Sequence, residues 1–445
     1  MRKLDRIIFI AAVAIHLSFL ASLALHFEVV SWWPPRAKPE VTIRTLYDNL
    51  APVAPQEGRA LGEPRSISET RRAKGVHLWD NLFYDSMKYE VGFDFFGLYK
   101  GGLDLLRGES IYQEARYDQA ETVFTDKAVP YYCPFIYPPI VAYFIVPFVI
   151  ALSPFKAFVV WTLIQELLLL WCVRISRSLF KSCWHKSIVT AMWLCFGPFY
   201  LLLYIGQTSF VIAACLLILA CCHLADWKKG GDWAWILSVA LKLLTLIAAP
   251  ILVRFKRYWA VILAIAIVVL ASAPYFAFKP DDVEFFAYLI KSRTVAPYAG
   301  DLSHSEVFFY LFGRDAGDMA SKVFTWAVIL FSLGLTFLPK KVRFVDGLSL
   351  WICTYFLAYI RVWEHHYVMI LPVLVLLFFS TESKFVLAMF VLLALPTPFF
   401  LFSGSWSLAQ CLIHHIFKLV PVAMLYGFTA KTIIARRRGD LQEPV

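Results

Sequence analysis

The residues able to do chemistry in this chain stand out because they interrupt long runs of leucine, isoleucine and phenylalanine. Asp94 lies in "VGFDFFGLYKGGLDLLRG", ahead of Leu and Phe at helical spacing. A carboxylate there can act as a general base, hold a metal, or satisfy the exposed N–H groups at a helix start. Lys242 stands in "ILSVALKLLTLIAAPILVRF", with apolar neighbours on both sides. A charge near a bilayer centre costs about 2.5–3.5 kcal/mol on insertion scales, so its retention points either to anion binding or to a long stem that snorkels to the interface. Arg361, Glu364, His365 and His366 cluster in "YIRVWEHHYVMILPV". Adjacent histidines face different sides of a helix and do not match the i, i+4 pair of a zinc protease. An arginine fork beside a titratable imidazole suits a phosphate, while a solvated interhelical loop accounts for the same residues.

Weaker signals lie at the ends of other apolar runs. In "LLLYIGQTSFVIAACL", Gln207 is either part of a plain turn or an amide directed at sugar hydroxyls or phosphate oxygens. Tyr137 opens "YPPIVAYFIVPF", where proline is tolerated in a first helical turn and the tyrosine suits a membrane interface. Asp281 and Asp282 in "KPDDVEFFAYLI" can hold a divalent cation or simply start a helix. His414 and His415 sit in a more apolar setting and read as structural. The nine cysteines fall mostly inside apolar segments, without the spacing of a zinc or redox site, so no metal centre is expected.

These residues must be positioned by membrane helices. The 445 residues are 60% hydrophobic and 17% charged, with a mean hydropathy of +0.65, which excludes an ordinary soluble domain and predicts an all-α polytopic membrane protein. The net charge of +10 sits largely in short clusters at the ends of apolar runs, as membrane orientation requires, so nucleic acid is not an expected partner. Residues 1–31 read as an uncleaved first span with a cytoplasmic basic start. Residues 32–136 read as an extracytoplasmic loop: a Pro-, Arg- and Ala-rich part without periodicity, then amphipathic surface helices that carry Asp94. Residues 137–430 hold a series of apolar runs, broken by a second outside loop at about 279–320, and 431–445 form a basic cytoplasmic tail.

Basic clusters at 174–186, 228–229, 254–257, 340–343 and 436–438 should face the cytoplasm. Two consequences follow from that parity. Either one of the two runs within 137–173 is interfacial or re-entrant or the cluster at 174–186 breaks the charge rule, and the run at 233–253, with cytoplasmic flanks on both sides, reads as a short hairpin broken near Lys242. Broken helices at membrane depth are tolerated only where protein or a watery cavity surrounds them, so such breaks mark a working cavity.

In order, "FDFFGLYKGGLDLLRGESIY", "YPPIVAYFIVPF", "LYIGQTSFVIAACLLILA", "ALKLLTLIAAPILVRFKRYW" and "RVWEHHYVMILPVLVLL" resemble the block series of glycosyltransferase family 87 over about residues 91–380. The resemblance implies a GT-C fold of about 11–13 transmembrane helices. It also implies transfer of a mannose-like hexose from a polyprenyl-phosphate donor to a lipid or glycan acceptor outside a bacterial cell membrane, without a cofactor or metal. It carries the role of catalytic base onto Asp94, and places Tyr137, Gln207, Lys242, Arg361, His365 and His366 around the lipid-phosphate donor. One departure is that Leu243 follows the lysine where the family pattern has proline. A lipid-linked glycan polymerase or ligase, relying on Arg293 or Arg314, and a transporter or flippase with inverted repeats are the competing readings.

Overall fold

The computed structural model describes residues 3–31, 91–112, 135–291, 301–339, 341–397 and 408–438. Arg293, the proline- and arginine-rich stretch, and the part of the amphipathic stretch ahead of Val91 lie outside the described residues.

The described chain is helical, and no strand occurs among its residues. In chain order the α-helices are α1 (Lys3–Ser31), α2 (Phe93–Arg107), α3 (Pro139–Ala151), α4 (Pro154–Ser178), α5 (Cys183–Leu194), α6 (Gly197–Ile205), α7 (Ser209–Leu224), α8 (Lys228–Leu241) and α9 (Ala249–Arg254). They continue with α10 (Tyr258–Phe278), α11 (Asp281–Lys291), α12 (His304–Phe312), α13 (Arg314–Phe337), α14 (Phe344–Ala358), α15 (Leu371–Thr381), α16 (Lys384–Ala394), α17 (Leu408–Phe417) and α18 (Leu419–Arg438). Seven helical stretches among the described residues are long and apolar enough to cross a membrane, with α5 and α6 running on as one of them, and five shorter apolar helices accompany them. The protein is therefore an all-α polytopic membrane protein.

At the centre, α6, α7, α14 and α15 are buried on nearly every face, whereas α10 and α13 present most of their apolar residues outward. Lipid tails are as apolar as leucine, so burial alone does not hold such helices together; close packing and interhelical polar bonds do. Trp193 Nε1 donates to Ser176 Oγ at 2.9 Å, Trp351 Nε1 donates to Thr336 Oγ1 at 2.9 Å, and Ser332 Oγ lies 2.7 Å from Thr354 Oγ1.

Three interruptions shape the interior. With 13 residues, α3 is roughly 20 Å long, short of a ~30 Å hydrocarbon core, while the 25-residue α4 is long enough. The second interruption is at Lys242, which is extended (φ −155°, ψ 114°) between α8 and a 3₁₀ turn, Leu243–Ala248. Here the chain folds back on itself. Trp235 Nε1 donates to Thr245 O at 3.1 Å, Ser238 Oγ donates to Thr245 Oγ1 at 3.1 Å, and Arg257 Nε reaches Asp232 Oδ2 at 2.7 Å. The expected hairpin is present, with Lys242 at its tip, and Trp235, Ser238 and Thr245 fasten the reversal without a proline. The third interruption lies between α14 and α15, where residues 359–363 lead into a second 3₁₀ turn, Glu364–Ile370.

Candidate active site

The second and third interruptions meet, and their meeting builds the site. Lys242 Nζ donates to Ser209 Oγ at 3.2 Å and lies 3.1 Å from His366 Nε2. It also sits 6.0 Å from the centroid of the Tyr137 ring, within cation–π range. Tyr137 Oη donates to Gln207 Oε1 at 2.9 Å, and the same oxygen accepts the Thr208 N–H at 2.9 Å. Four residues singled out from separate sequence blocks, Tyr137, Gln207, Lys242 and His366, thus share one small polar cluster.

The contacts of His366 set different demands on its two ring nitrogens. An ammonium has donors only, so the nitrogen facing Lys242 must accept, which puts the ring proton on Nδ1, 3.3 Å from Tyr355 Oη. The Trp363 N–H also points at Nδ1, at 3.4 Å; an accepting Nδ1 would move the proton to Nε2, against the ammonium. Lys242 and the Trp363 N–H thus ask for a lone pair on opposite nitrogens of one ring. His365 is buried beside it, with ring centroids 4.5 Å apart, and neither of its ring nitrogens has a hydrogen-bond partner among the described residues. A buried imidazole is costly in that condition, and its position beside a cation suits contact with an anionic ligand.

The turn that carries Gln207 is held from two sides. Trp161 Nε1 donates to Gly206 O at 3.0 Å, and the Gln165 amide, in the orientation that satisfies both its ends, donates to Gln207 O at 3.3 Å. On the other side lies the start of α2. Gly92 N–H donates to Tyr204 O at 2.7 Å, and a Cβ on Gly206 would come within 2.5 Å of Phe95 Cβ. Gly206 has φ +76°, so both its backbone conformation and its space call for glycine.

That contact sets Asp94, the second residue of α2, close in the chain to a segment packed on the Gln207 turn. Asp94 is half-buried, and the cap position belongs to Gly92, with no side-chain cap bond. Asp104, on the same helix, is buried and tied to Lys100. Burial pushes its carboxyl up to about 6. Of the two, Asp94 is the more open to a reactant.

Arg361 is half-buried in the segment before the second 3₁₀ turn, five residues ahead of His366. Asp282, in the first turn of α11, accepts Ser110 Oγ at 2.7 Å and the Tyr275 hydroxyl, which ties α11 to α10 and to the segment after α2. Arg314 begins α13. His415 lies 2.8 Å from Ser303 O, in keeping with a structural role. Sequence reasoning missed Ser209, Tyr355 and Gln165. Ser209 was within reach, two residues after Gln207; Gln165 and Tyr355 look like ordinary residues of apolar helices until the turns they touch are known.

An apolar cavity of about 250 Å³ is lined by Pro138, Leu243, Val269, Ser272, Phe276 and Phe286 among others. Pro138 and Leu243 directly follow Tyr137 and Lys242 in the chain, so the cavity between α10, α11 and the start of α3 shares two segments with the polar cluster.

A model of glycosyltransferase family 87 matches residues 135–396. That range contains Tyr137, Gln207, Lys242, Arg361, His365 and His366 but begins after α2 and Asp94. No curated protein matches the chain. The family match covers more than half of the 445 residues and takes in both broken segments that meet at Lys242 and His366, and the chain belongs to glycosyltransferase family 87.

Proposed function

We propose that this glycosyltransferase moves a mannose-like hexose from a polyprenyl-phosphate donor to a lipid or glycan acceptor on the extracytoplasmic side of the membrane. The observation that carries the reading is the Lys242–His366–Gln207–Tyr137 cluster together with an apolar cavity whose wall includes Pro138 and Leu243, the residues next to Tyr137 and Lys242 in the chain. A polyprenyl-phosphate sugar has that same division, a charged phosphate joined to an apolar tail. The unpartnered His365 imidazole and the Arg361 guanidinium add donors for phosphate oxygens.

In the proposed step, Asp94 takes the proton of an acceptor hydroxyl as its oxygen attacks the anomeric carbon of the donor. The bond from that carbon to the phosphate oxygen breaks, and its electron pair leaves with polyprenyl phosphate. Lys242 and Arg361 stabilise the charge that gathers on the departing phosphate. Attack opposite the leaving group inverts the anomeric centre. A GT-C-type arrangement, with the acceptor arriving from the outside loops and the donor from the lipid, follows from the same reading.

The test uses purified full-length protein with short-chain polyprenyl-phosphate hexoses and, in parallel, nucleotide sugars. Release of polyprenyl phosphate by the wild type is expected. Asp94→Asn should lower turnover by about 10²–10⁴-fold, the usual contribution of a general base, with donor binding kept. Transfer from a nucleotide sugar alone would overturn the donor assignment, and full turnover by Asp94→Asn would overturn the base.

A further inference from the structure

Helix α7 begins with two backbone donors that are buried and left open. Thr208 stands at its N-cap, where a threonine hydroxyl usually accepts one of the first N–H groups, but it makes no side-chain cap bond. Its hydroxyl turns instead to Gln207 Oε1, at 3.4 Å. The N–H groups of Ser209 and Phe210, the first two residues of the helix, have no hydrogen-bond partner among the described residues, although both residues are fully buried. A helix start buried in that condition calls for an acceptor from outside the chain.

Gln207 is a second, independent sign of one. It is only 6% exposed, and its Oε1 accepts the Thr208 N–H and the Tyr137 hydroxyl, each at 2.9 Å. A backbone N–H can only donate, so the oxygen must face it and the amide cannot be turned round. Both lone pairs are then used, and the amide NH2 group, held at the same helix start, has no partner among the described residues. Toward a ligand Gln207 is therefore a donor only. Lys242 adds a cation at the same place, with Nζ 3.2 Å from Ser209 Oγ. A helix N-terminus carries roughly half a positive charge, so an ammonium beside it sets like against like, and the combination favours an anion.

We propose that the start of α7 is the seat of the donor phosphate: the Ser209 and Phe210 N–H groups and the Gln207 amide are its neutral donors, and Lys242 supplies its charge. That the anion is a phosphate rests on the polyprenyl-phosphate reading; the seat itself asks only for an anion. The proposal gives Gln207 to the phosphate rather than to sugar hydroxyls. Two of the donors belong to the backbone of a packed helix, so they are in place before charge gathers on the leaving group and need no rearrangement to meet it.

Thr208–Ser209 is the only Thr-Ser step in the chain, so threonine labelled with 13C at its carbonyl and serine labelled with 15N together give a single amide signal, that of Ser209. Full-length protein is titrated with geranyl phosphate, a sugar-free short-chain polyprenyl phosphate, with geraniol, and with inorganic phosphate. Geranyl phosphate should move the Ser209 amide proton downfield, saturating as the ligand binds, and geraniol should leave it in place. Gln207→Glu keeps an acceptor for Tyr137 and Thr208 but sets a negative oxygen where the NH2 group was. It should weaken geranyl phosphate binding about ten- to a hundredfold, the worth of one hydrogen bond to a charged group. A Ser209 signal unmoved by bound geranyl phosphate, or moved as far by geraniol, would overturn the seat, as would equal binding by Gln207→Glu. If the wild type binds no geranyl phosphate, the polyprenyl-phosphate reading has failed and inorganic phosphate decides the seat alone: the same downfield shift keeps it as an anion site, and no shift removes it.

Discussion

Lys242 and Lys418 both interrupt apolar helices, but the chain surrounds them differently. Lys418 is fully buried between α17 and α18, and its three donors go to Leu393 O at 2.8 Å, Leu395 O at 2.6 Å and Glu364 Oε1 at 3.2 Å. Glu364 in turn accepts the Thr397 N–H at 2.9 Å. Lys242 reaches a hydroxyl and an imidazole, sits below a tyrosine ring, and precedes Leu243 in the wall of an apolar cavity. Both charges carry the cost of leaving water. Lys418 recovers it within the fold, by closing the end of α16 and anchoring the 3₁₀ turn that bears His365 and His366; Lys242, in the proposed reading, recovers it from the donor phosphate.

The comparison breaks most sharply on removal of each charge. Lys418→Met leaves the Glu364 carboxylate buried with one backbone donor, and should cost about 3–5 kcal/mol, read as a large fall in melting temperature or failure to purify. Adding Glu364→Leu should recover most of that, less about 1 kcal/mol for the lost Thr397 bond. If the double variant is no more stable than Lys418→Met, the pair is not the source of the effect. Lys242→Met should do the reverse: turnover falls by about 10²–10³-fold, as for loss of one donor to a developing anion, while the melting temperature moves little. Equal unfolding in both variants would remove the distinction.

The same contrast marks how far the sequence could be read. Lys242 was legible because a lone cation in an apolar run is costly, and the basic flanks at 228–229 and 254–257 already required the chain to turn back there. Lys418 carries the same local signal, but it lies within a run that reads as one span at 407–430; only the carbonyls of Leu393 and Leu395 and the Glu364 carboxylate, more than twenty residues away, make it structural. Helix class and the polytopic architecture were legible from hydropathy. Tyr137, Gln207, Lys242 and His366 were legible as types, while their convergence depends on two helix breaks meeting in space. The open N–H groups of Ser209 and Phe210 were not legible at all, since a threonine ahead of a helix reads as its cap.

Gly206 tests the link between the Lys242 side of the site and Asp94. At φ +76° an alanine is strained, and its Cβ would meet Phe95 and Phe158. Gly206→Ala should cost about 1–3 kcal/mol and should lower turnover beyond the loss of folded protein, because relief of the clash moves α2 and with it Asp94. Turnover per folded molecule equal to wild type would mean that α2 can shift without touching the chemistry.

The smallest effect should come from Tyr137→Phe. The change removes one hydrogen bond to Gln207 Oε1, but that oxygen keeps the Thr208 N–H, so no buried acceptor is orphaned and the expected cost is about 0.5–1.5 kcal/mol. The ring remains above Lys242, and the groove wall at Pro138 is unchanged. If Tyr137 only orients the Gln207 amide, the loss should appear as a rise in donor KM of roughly 2–12-fold with kcat held, the pattern of an interaction made equally in ground and transition states. A fall in kcat at constant KM would instead assign the Tyr137 hydroxyl to the departing phosphate, beside Lys242.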